Sequence, residues 1–271
     1  MSGQMEALSP RQADIVALVK HCGRVSVDDL AERFAVSPQT IRKDLNDICE
    51  RRLAQRVHGG AVVSSGVENV GYEARRALAS EEKRLIGLKA ASLIPDNSSL
   101  FINTGTTTEQ VAEALLDHNG LLVITNNINV ANLLHRASGI EVIVTGGPVR
   151  RGDGGIVGEA TVDFIRQFKV DNAVIGVSAI DADGALLDYD YHEVRVAQEI
   201  IENSRHVILV ADRMKMERSA PVRIGHISQI GTFVTDSKPH DDLAEICERG
   251  DVRLEIAGPD GRQYQSSQIC A

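Results

Sequence analysis

The first 50 residues contain three short runs in which apolar side chains recur every three or four positions. That spacing places the apolar side chains on one face of a helix, and it predicts helices over 11–22 and 27–35 and a third beginning at Ser37. Ser37 suits the N-cap, and Pro38 falls in the first turn, where a missing N–H costs nothing. The break between the second and third helices is short, as a helix-turn-helix requires.

Residues 53–63 alternate between apolar and polar side chains around the pair Gly59-Gly60. Alternation about a glycine pair is typical of a two-stranded hairpin. Three helices followed by a hairpin predict a winged helix-turn-helix, a DNA-binding fold, over residues 1–63.

The pattern changes beyond residue 79. A helix is predicted from Ser80 to a stop before Pro95, and short continuous apolar runs follow, mostly separated by helix-length stretches. These runs are LFIN, LLVIT, EVIVT, AVIGV, HVILV, GTFVT and VRLEI. Continuous apolar strands that alternate with helices are typical of a parallel sheet covered on both faces. The predicted fold class is therefore α/β, with a Rossmann-like parallel-sheet domain over 80–257.

Two segments lack either pattern. Residues 64–72 are rich in Ser, Gly and Asn, a composition typical of linkers, and the predicted linker covers 64–79. The last segment, 258–271, is polar, and we expect a loose C-terminal tail.

Charge is distributed unevenly along the chain. The 271 residues carry a formal net charge of −9, which alone argues against binding to DNA. Residues 1–62 are net +1, however, and the remainder is net −10. Basic residues concentrate between Arg42 and Arg56, and such a local patch is sufficient for contacts with phosphates.

The four cysteines are scattered, with no spacing typical of a metal site. This distribution favours free thiols in a reducing compartment. The N-terminus lacks the features of a signal peptide, and no segment approaches the length that spans a membrane. We therefore expect a cytoplasmic protein with no membrane association, no metal and no cofactor.

The third predicted helix carries the side chains that suit DNA. Arg42 and Gln39 can bond to guanine and adenine edges, and Lys43 can neutralise a phosphate. The alternative is an ordinary surface helix with a solvated charged face, but the helix-turn-helix context favours a recognition helix. The predicted DNA-binding residues are Ser37, Gln39, Thr40, Arg42, Lys43, Asn46, Arg56 and His58.

Polar clusters follow several predicted strands, where ligands bind in parallel α/β sheets. Residues 103–108 lead into a predicted helix over 109–116, so their N–H groups and hydroxyls could surround an anion at a helix N-terminus. Similar clusters occupy 125–127, 145–147 and 152–155. Taken singly, each glycine pair is better explained as a turn. Together they favour a shared polar pocket, although the first loop lacks the Gly-Lys-Ser/Thr of a nucleotide P-loop.

Charged residues at the same edge have two interpretations each. Lys215 could add a positive charge, or it is a solvated loop lysine. Asp188, Asp190 and Glu193 could perform acid–base chemistry, but a role in binding hydroxyls or capping a helix is favoured. Glu193 opens the helix predicted over 194–203, where an acid is stabilised in any case.

The N-terminal motifs resemble the DNA-binding domain of the DeoR family of bacterial transcriptional regulators. VSVDDLAERFAVSPQTIRKDL followed by RVHGGAV carries the resemblance. One departure is Arg52-Leu53, where the family usually has a glycine before the wing, so we expect a different entry to the hairpin.

The C-terminal half resembles the effector domain of the same family, which has the fold of ribose-5-phosphate isomerase. The segments GTTTEQVAEALL, ITNNINVANLL, RRGDGGIVGEATVDFIRQFKVD, DYDYHEVRVAQEIIENSRHVILVAD and RSAPVRIG carry this resemblance. It implies an effector phosphate on Gly105, Thr106, Thr107, Asn126, Asn127 and Lys215, with Gly147 in a neighbouring cluster and Asp153, Asp188 and Glu193 at the hydroxyls. The family's Ser-Lys-Phe-Gly-Arg loop is here Met-Lys-Met-Glu-Arg, which adds an acid near the expected anion.

The resemblance implies a repressor of glycerol or related sugar catabolism that binds operator double-stranded DNA as a homodimer or homotetramer. It implies release by a phosphorylated polyol or sugar, with glycerol 3-phosphate as the first expectation. One alternative is a sugar-phosphate isomerase with an appended DNA-binding domain. That enzyme needs paired aspartates after AVIGV, where only Asp181 is present. An activator with the same DNA-binding chemistry is a further alternative.

Overall fold

The computed structural model describes residues 8–22, 24–51, 53–57, 59–63 and 72–258. The chain divides into two compact units, 1–78 and 79–271. No helix within the described ranges is long and apolar enough to cross a bilayer.

The N-terminal unit is a winged helix-turn-helix, as predicted. Its elements in chain order are α1 (Pro10–Cys22), β1 (Arg24–Ser26), α2 (Val27–Arg33), α3 (Pro38–Glu50), β2 (Ala54–Val57), β3 (Gly60–Val63) and α4 (Tyr72–Ala77). Ile15 and Val19 of α1 pack with Ile41, Leu45 and Ile48 of α3, and all five are fully buried. These are the apolar stripes that the helical periodicity predicted.

The wing has one strand more than the two predicted. Strand β1 pairs antiparallel with β3, so the sheet order is β1-β3-β2. Gly60 lies opposite Ser26, and a Cβ at Gly60 would overlap the carbonyl oxygen of Val25. A glycine at this position is what allows the third strand to approach.

The prediction of a linker over 64–79 needs correction at its C-terminal end. Helix α4 occupies part of that range, and the guanidinium groups of Arg75 and Arg76 lie 5.9 Å from the centre of the Tyr72 ring. These contacts join side chains three and four positions apart, which stabilises a helical turn. Residues 64–71 and the tail beyond Gly258 lie outside the described residues.

The C-terminal unit contains all seven predicted strands in one sheet. Its strands in chain order are β4 (Ser99–Ile102), β5 (Leu121–Thr125), β6 (Ile140–Val144), β7 (Val170–Ile175), β8 (Ala179–Ile180), β9 (Ala185–Asp188), β10 (Ser204–Val210), β11 (Val222–His226), β12 (Thr232–Thr235) and β13 (Arg253–Ile256). The parallel sheet has the order β13-β12-β10-β7-β4-β5-β6. The remaining strands form a small antiparallel sheet in the order β11-β9-β8, which the apolar runs did not predict.

Helices cover both faces of the parallel sheet. They are α5 (Ser80–Ala91), α6 (Thr106–Ala114), α7 (Ile128–Leu134), α8 (Glu159–Ile165), α9 (Tyr191–Glu202) and α10 (Asp241–Arg249), with short 3-10 turns at Arg213–Glu217 and Ile227–Gln229. The first three helices contribute to one apolar core and the last three to the other. Within β4, Leu100 and Ile102 face the first core, whereas Phe101 faces the second.

The strand order creates one reversal point. From β4 the chain proceeds through β5 and β6 to one edge, and from β7 it proceeds through β10, β12 and β13 to the other. Loops that leave β4 and β7 therefore diverge, which opens a crevice at their carboxyl ends.

Cys49 of the N-terminal unit and Cys247 of the C-terminal unit are free thiols. Burial raises the pKa of each thiol.

Candidate DNA-binding surface and effector site

Helix α3 presents a polar face to solvent. The Ser37 hydroxyl accepts a hydrogen bond from the backbone N–H of Thr40 (3.2 Å) and contacts the Thr40 hydroxyl (2.9 Å), which fixes the start of the helix. Gln39, Arg42, Lys43 and Asn46 are exposed. The predicted recognition surface is thus sterically available to DNA.

The opposite face of α3 holds a carboxylate that periodicity did not reveal. Asp44 is buried and accepts hydrogen bonds from Arg11 Nε (2.6 Å) and Gln12 Nε2 (3.5 Å) of α1. Gln12 also donates to Asp47 (3.1 Å). These polar contacts fix the angle of α3 against α1, and so the orientation of the recognition face.

The wing contributes one described basic side chain. Arg56 is exposed, and its Nη1 donates to the carbonyl oxygen of Gly60 at 3.1 Å, which braces the hairpin. The guanidinium has further N–H groups that could face DNA. Arg52 and His58 lie outside the described residues.

The loop after β4 forms the first part of the predicted effector site. Helix α6 begins at Thr106, three residues before the predicted start, because Gly105 adopts a φ of 144° at the N-cap. The Thr108 hydroxyl donates to the carbonyl oxygens of Asn103 and Gly105, both at 2.8 Å. Thr106 and Thr107 fall in the first turn, and no side chain of the described residues caps it. The first N–H groups of α6 are therefore available to an anion.

The two asparagines after β5 have different surroundings. Asn126 Nδ2 donates to the carbonyl oxygen of Ile156 (3.1 Å), whereas its buried Oδ1 has no hydrogen-bond partner among the described residues. Asn127 Nδ2 donates to Glu109 (3.1 Å), and its Oδ1 accepts from the N–H of Asn129 (2.9 Å). Asn127 thus caps α7 and joins it to α6, so its amide is engaged by the protein itself.

Gly147 has a steric role. Its φ is 137°, and a Cβ there would lie 2.9 Å from the carbonyl oxygen of Val157. The position allows the loop over 145–157 to fold back as a narrow hairpin, with bridges that pair Val149 with Ile156 and Asn127 with Gly155. Thr145, at the start of this loop, has a buried hydroxyl with no partner in the described part of the chain.

Arg150 lies at the centre of three carboxylates and was not among the predicted site residues. Its Nε and Nη2 donate to the two oxygens of Asp153 at 2.8 and 2.6 Å. Its Nη1 contacts Asp190 at 3.0 Å and Glu193 at 2.6 Å. The other oxygen of Glu193 accepts from the Thr104 hydroxyl at 2.7 Å. Asp153 and Glu193, predicted separately, are brought together by this arginine.

The carboxylates in this cluster have different protonation behaviour. Burial, reinforced by the charge of Asp188, raises the pKa of Glu193 to about 7 against the opposing effect of Arg150. Burial also raises the pKa of Asp190, but hydrogen bonds from the His192 N–H and Arg150 outweigh it and bring it below its ordinary value. Asp190 is the N-cap of α9, which begins at Tyr191 and not at the predicted residue 194.

Asp188 and Lys215 lie at the ends of other strands at this edge. Asp188 is buried at the end of β9 and accepts from the Ser178 hydroxyl (3.0 Å) and the Tyr189 N–H (2.6 Å). Lys215 is half-buried in the 3-10 turn that follows β10. Asp212 fixes that turn by accepting from the N–H of Met214 at 3.0 Å.

Asp181 has no place in this cluster. It lies in the turn between β8 and β9, where its N–H donates to the carbonyl oxygen of Ala185 and its carbonyl oxygen accepts from Gly184. The aspartate that the isomerase alternative would use is therefore part of a hairpin turn.

A winged helix-turn-helix joined to a parallel α/β unit with a polar strand edge defines a DNA-binding regulator with a ligand sensor. A model of the DeoR C-terminal sensor domain matches residues 78–237, and a model of the DeoR-like helix-turn-helix domain matches residues 11–67. The chain belongs to the DeoR family of transcriptional regulators.

Curated relatives resemble the chain over nearly its full length. The glycerol-3-phosphate regulon repressor of Escherichia coli (strain K12) is 48% identical over 246 residues, 91% of this chain and 98% of the relative. The HTH-type transcriptional repressor CsqR of the same organism is 40% identical over 231 residues, 85% of this chain and 88% of the relative. Both relatives are transcriptional repressors, as predicted for this chain.

Ribose 5-phosphate isomerase from Plasmodium falciparum is a weaker structural neighbour. The matched region covers 50% of this chain and 52% of the isomerase chain, with a TM-score of 0.38 and 15% sequence identity. That likeness carries no argument about chemistry, and nothing in the comparisons favours the isomerase alternative.

Proposed function

We propose that this chain represses genes of glycerol, glycerol 3-phosphate or related sugar catabolism and leaves its operator when a phosphorylated polyol binds the C-terminal unit. Glycerol 3-phosphate is the effector we propose first, since a 48% identical relative is a glycerol-3-phosphate regulon repressor. The protein acts in the cytoplasm, where bacterial operator DNA lies.

The observation that carries the proposal is the pairing of two complementary surfaces at the reversal point of the sheet. The uncapped start of α6 at Gly105, Thr106 and Thr107 suits a phosphate, because its N–H groups and the helix dipole favour an anion. The Thr104 hydroxyl, next to Gly105, donates to Glu193, and Arg150 holds Glu193 together with Asp153, so both carboxylates lie near the start of α6. Carboxylate oxygens accept hydrogen bonds from hydroxyls. A phosphorylated polyol has both groups.

The DNA-binding half of the proposal depends on the exposed face of α3. Arg42 and Gln39 are placed to contact base edges and Lys43 a phosphate. We propose a homodimer or homotetramer, since two-fold protein symmetry matches paired operator half-sites. For release, the effector must bind the DNA-incompetent state more tightly, typically by about 1–3 kcal/mol.

Fluorescence anisotropy on DNA from upstream of the protein's own gene tests the proposal. We expect specific binding that glycerol 3-phosphate reverses, and we expect Arg42→Ala to weaken binding or to relax base preference. Unchanged affinity and preference in Arg42→Ala would remove this residue from the interface.

The effector site is tested with Thr106→Val, which should bind operator DNA as the wild type does but resist release. Thr232→Val is a matched control, because Thr232 is also buried but lies at the amino end of β12, where it contacts His206. Normal release of Thr106→Val at the same effector concentration would place the phosphate elsewhere. Release by a different phosphate alone would refute glycerol 3-phosphate as the effector.

A further inference from the structure

Strand β6 forms an open edge of the parallel sheet. In the described part of the chain it pairs only with β5. The N–H of Thr145, just beyond the strand, donates to the carbonyl oxygen of Thr125 in β5, so the odd-numbered residues direct their backbone groups towards β5. Successive residues of a strand direct these groups to opposite sides. The N–H and C=O groups of Val142 and Val144 therefore face the open edge.

The two edges of the sheet differ in their charge. At the other edge, β13 carries Arg253 and Glu255, which pair with each other, and Lys89 of α5 also pairs with Glu255. Charged side chains on an edge strand discourage pairing with another chain. Strand β6 has a single charged residue, Glu141, among four aliphatic residues. The edge at β6 is therefore less protected against pairing than the edge at β13.

Exposed aliphatic side chains accompany the open backbone groups of β6. Val144 is 42% exposed, and Val149, in the loop that leaves the strand, is 50% exposed. They are two of the five large hydrophobic side chains that are exposed within the described ranges. An apolar edge strand with outward N–H and C=O groups binds another strand most readily, so the occupant that fits this edge is a β-strand.

We propose that β6 pairs antiparallel with β6 of a second copy of this chain, about a two-fold axis at Ile143, and so joins two seven-stranded sheets into one. In this register Val142 and the partner's Val144 exchange both backbone hydrogen bonds. Glu141 lies opposite the partner's Thr145, so no two carboxylates face each other. Helix α7 packs against β6, so pairing also brings helices of the two copies together and enlarges the interface.

A second copy fits this edge better than the chain's own C-terminal segment. That segment, PDGRQYQSSQICA, is polar and contains proline and glycine, which disfavour a strand, and it follows β13 at the opposite edge of the sheet. A two-fold axis also matches the paired half-sites of an operator. The inference therefore rests on the proposed homodimer or homotetramer and deepens it by naming the interface.

Sedimentation velocity of the full-length protein tests the interface with Val144→Lys. A lysine at an exposed edge position opposes strand pairing, so we expect this variant to have half the molecular mass of the wild type. Leu116→Lys is a matched control, because Leu116 lies just after α6 in the same unit and is 40% exposed. It should keep the wild-type mass. Circular dichroism checks that both variants fold.

Disulfide cross-linking with Ile143→Cys tests the register. Residues opposite each other at a non-hydrogen-bonded position of an antiparallel pair have Cα atoms about 4.5 Å apart, a separation that a disulfide spans. We expect oxidation to give more covalent dimer than in the wild type, which controls for the four native cysteines. Leu254→Cys on β13 is the matched control, since Leu254 and Ile143 are both partly buried against the same core. It should give no additional dimer.

The outcomes separate this inference from the proposed function. Wild-type mass in folded Val144→Lys, or no additional dimer in Ile143→Cys, would overturn the inference and show that another segment covers this edge or that none does. A monomeric wild type would overturn it together with the proposed oligomer. Operator binding and release by glycerol 3-phosphate are measured separately by anisotropy, and they stand whichever surface joins the copies.

Discussion

Glu193 should make the stability of the C-terminal unit fall as pH rises. Its pKa is about 7 in the folded protein, against an ordinary value of 4.5. The folded state therefore holds the proton more tightly than the unfolded state does. The contribution of Glu193 to stability is most favourable below its ordinary pKa of 4.5 and declines as pH rises from 4.5 to about 7. Above about pH 7 the destabilisation is complete.

Glu193→Gln measures that penalty. Glutamine carries no charge at any of these pH values, so the variant lacks the cost of burying an ionised carboxylate. A shift from 4.5 to about 7 corresponds to about 3 kcal/mol, at 1.36 kcal/mol per pH unit. We expect the stability of Glu193→Gln relative to the wild type to rise by up to that amount between pH 5 and pH 8.

Urea unfolding at several pH values provides the measurement. The chain has no tryptophan, and two of its four tyrosines, Tyr189 and Tyr191, lie next to the cluster, so tyrosine fluorescence includes a signal from this unit. A difference between Glu193→Gln and the wild type that stays constant from pH 5 to pH 8 would refute the argument.

Three further substitutions test the packing that supports the two sites. Asp44→Ala should destabilise the N-terminal unit by about 1–3 kcal/mol in thermal unfolding, because it leaves partners on α1 unpaired; an unchanged melting temperature would contradict this. Gly60→Ala should abolish operator binding, since its Cβ overlaps Val25, and retained affinity would show that the sheet adapts. Gly87→Ala should cost about 1–3 kcal/mol, because its Cβ would lie 2.6 Å from the Gln110 carbonyl oxygen of α6; a stabilised variant would instead show that helix propensity dominates.

The main sheet was predictable because most residues of its central strands are buried on both faces. Each of the seven apolar runs overlaps one of its strands, and the run at 121–125 matches β5 residue for residue. In the small antiparallel sheet, β8 has only two residues, and a register shift between Arg223 and Gly225 interrupts the pairing of β11 with β9, so neither strand gives a regular pattern. Strand β1 has only three residues and depends on the close approach at Gly60, which is a tertiary contact.

The predicted site residues show where sequence patterns become insufficient. Asn127 and Asn126 are neighbours of the same type, yet Glu109 and the nearby Asn129 engage both ends of the Asn127 amide, whereas only the nitrogen of Asn126 is bonded, to the distant Ile156. Arg150 lies in a glycine-rich loop, where a solvated side chain is the ordinary expectation. Its role depends on Asp190 and Glu193, some 40 positions away. Local sequence patterns predict where the edge of the sheet lies. Contacts with residues far along the chain determine which side chains at that edge are available to bind a ligand.

The position of the proposed effector site also suggests how binding could be communicated within the C-terminal unit. The phosphate end would contact α6, which follows β4, and the hydroxyl end would contact Glu193 at the start of α9, which precedes β10. These helices lie on opposite faces of the sheet and belong to separate apolar cores. In the described structure, Thr104 and Glu193 join the two sides by a single side-chain hydrogen bond. A ligand bound to both helices would add its own contacts to that hydrogen bond. Part of the binding free energy would then hold the two halves of the sheet together.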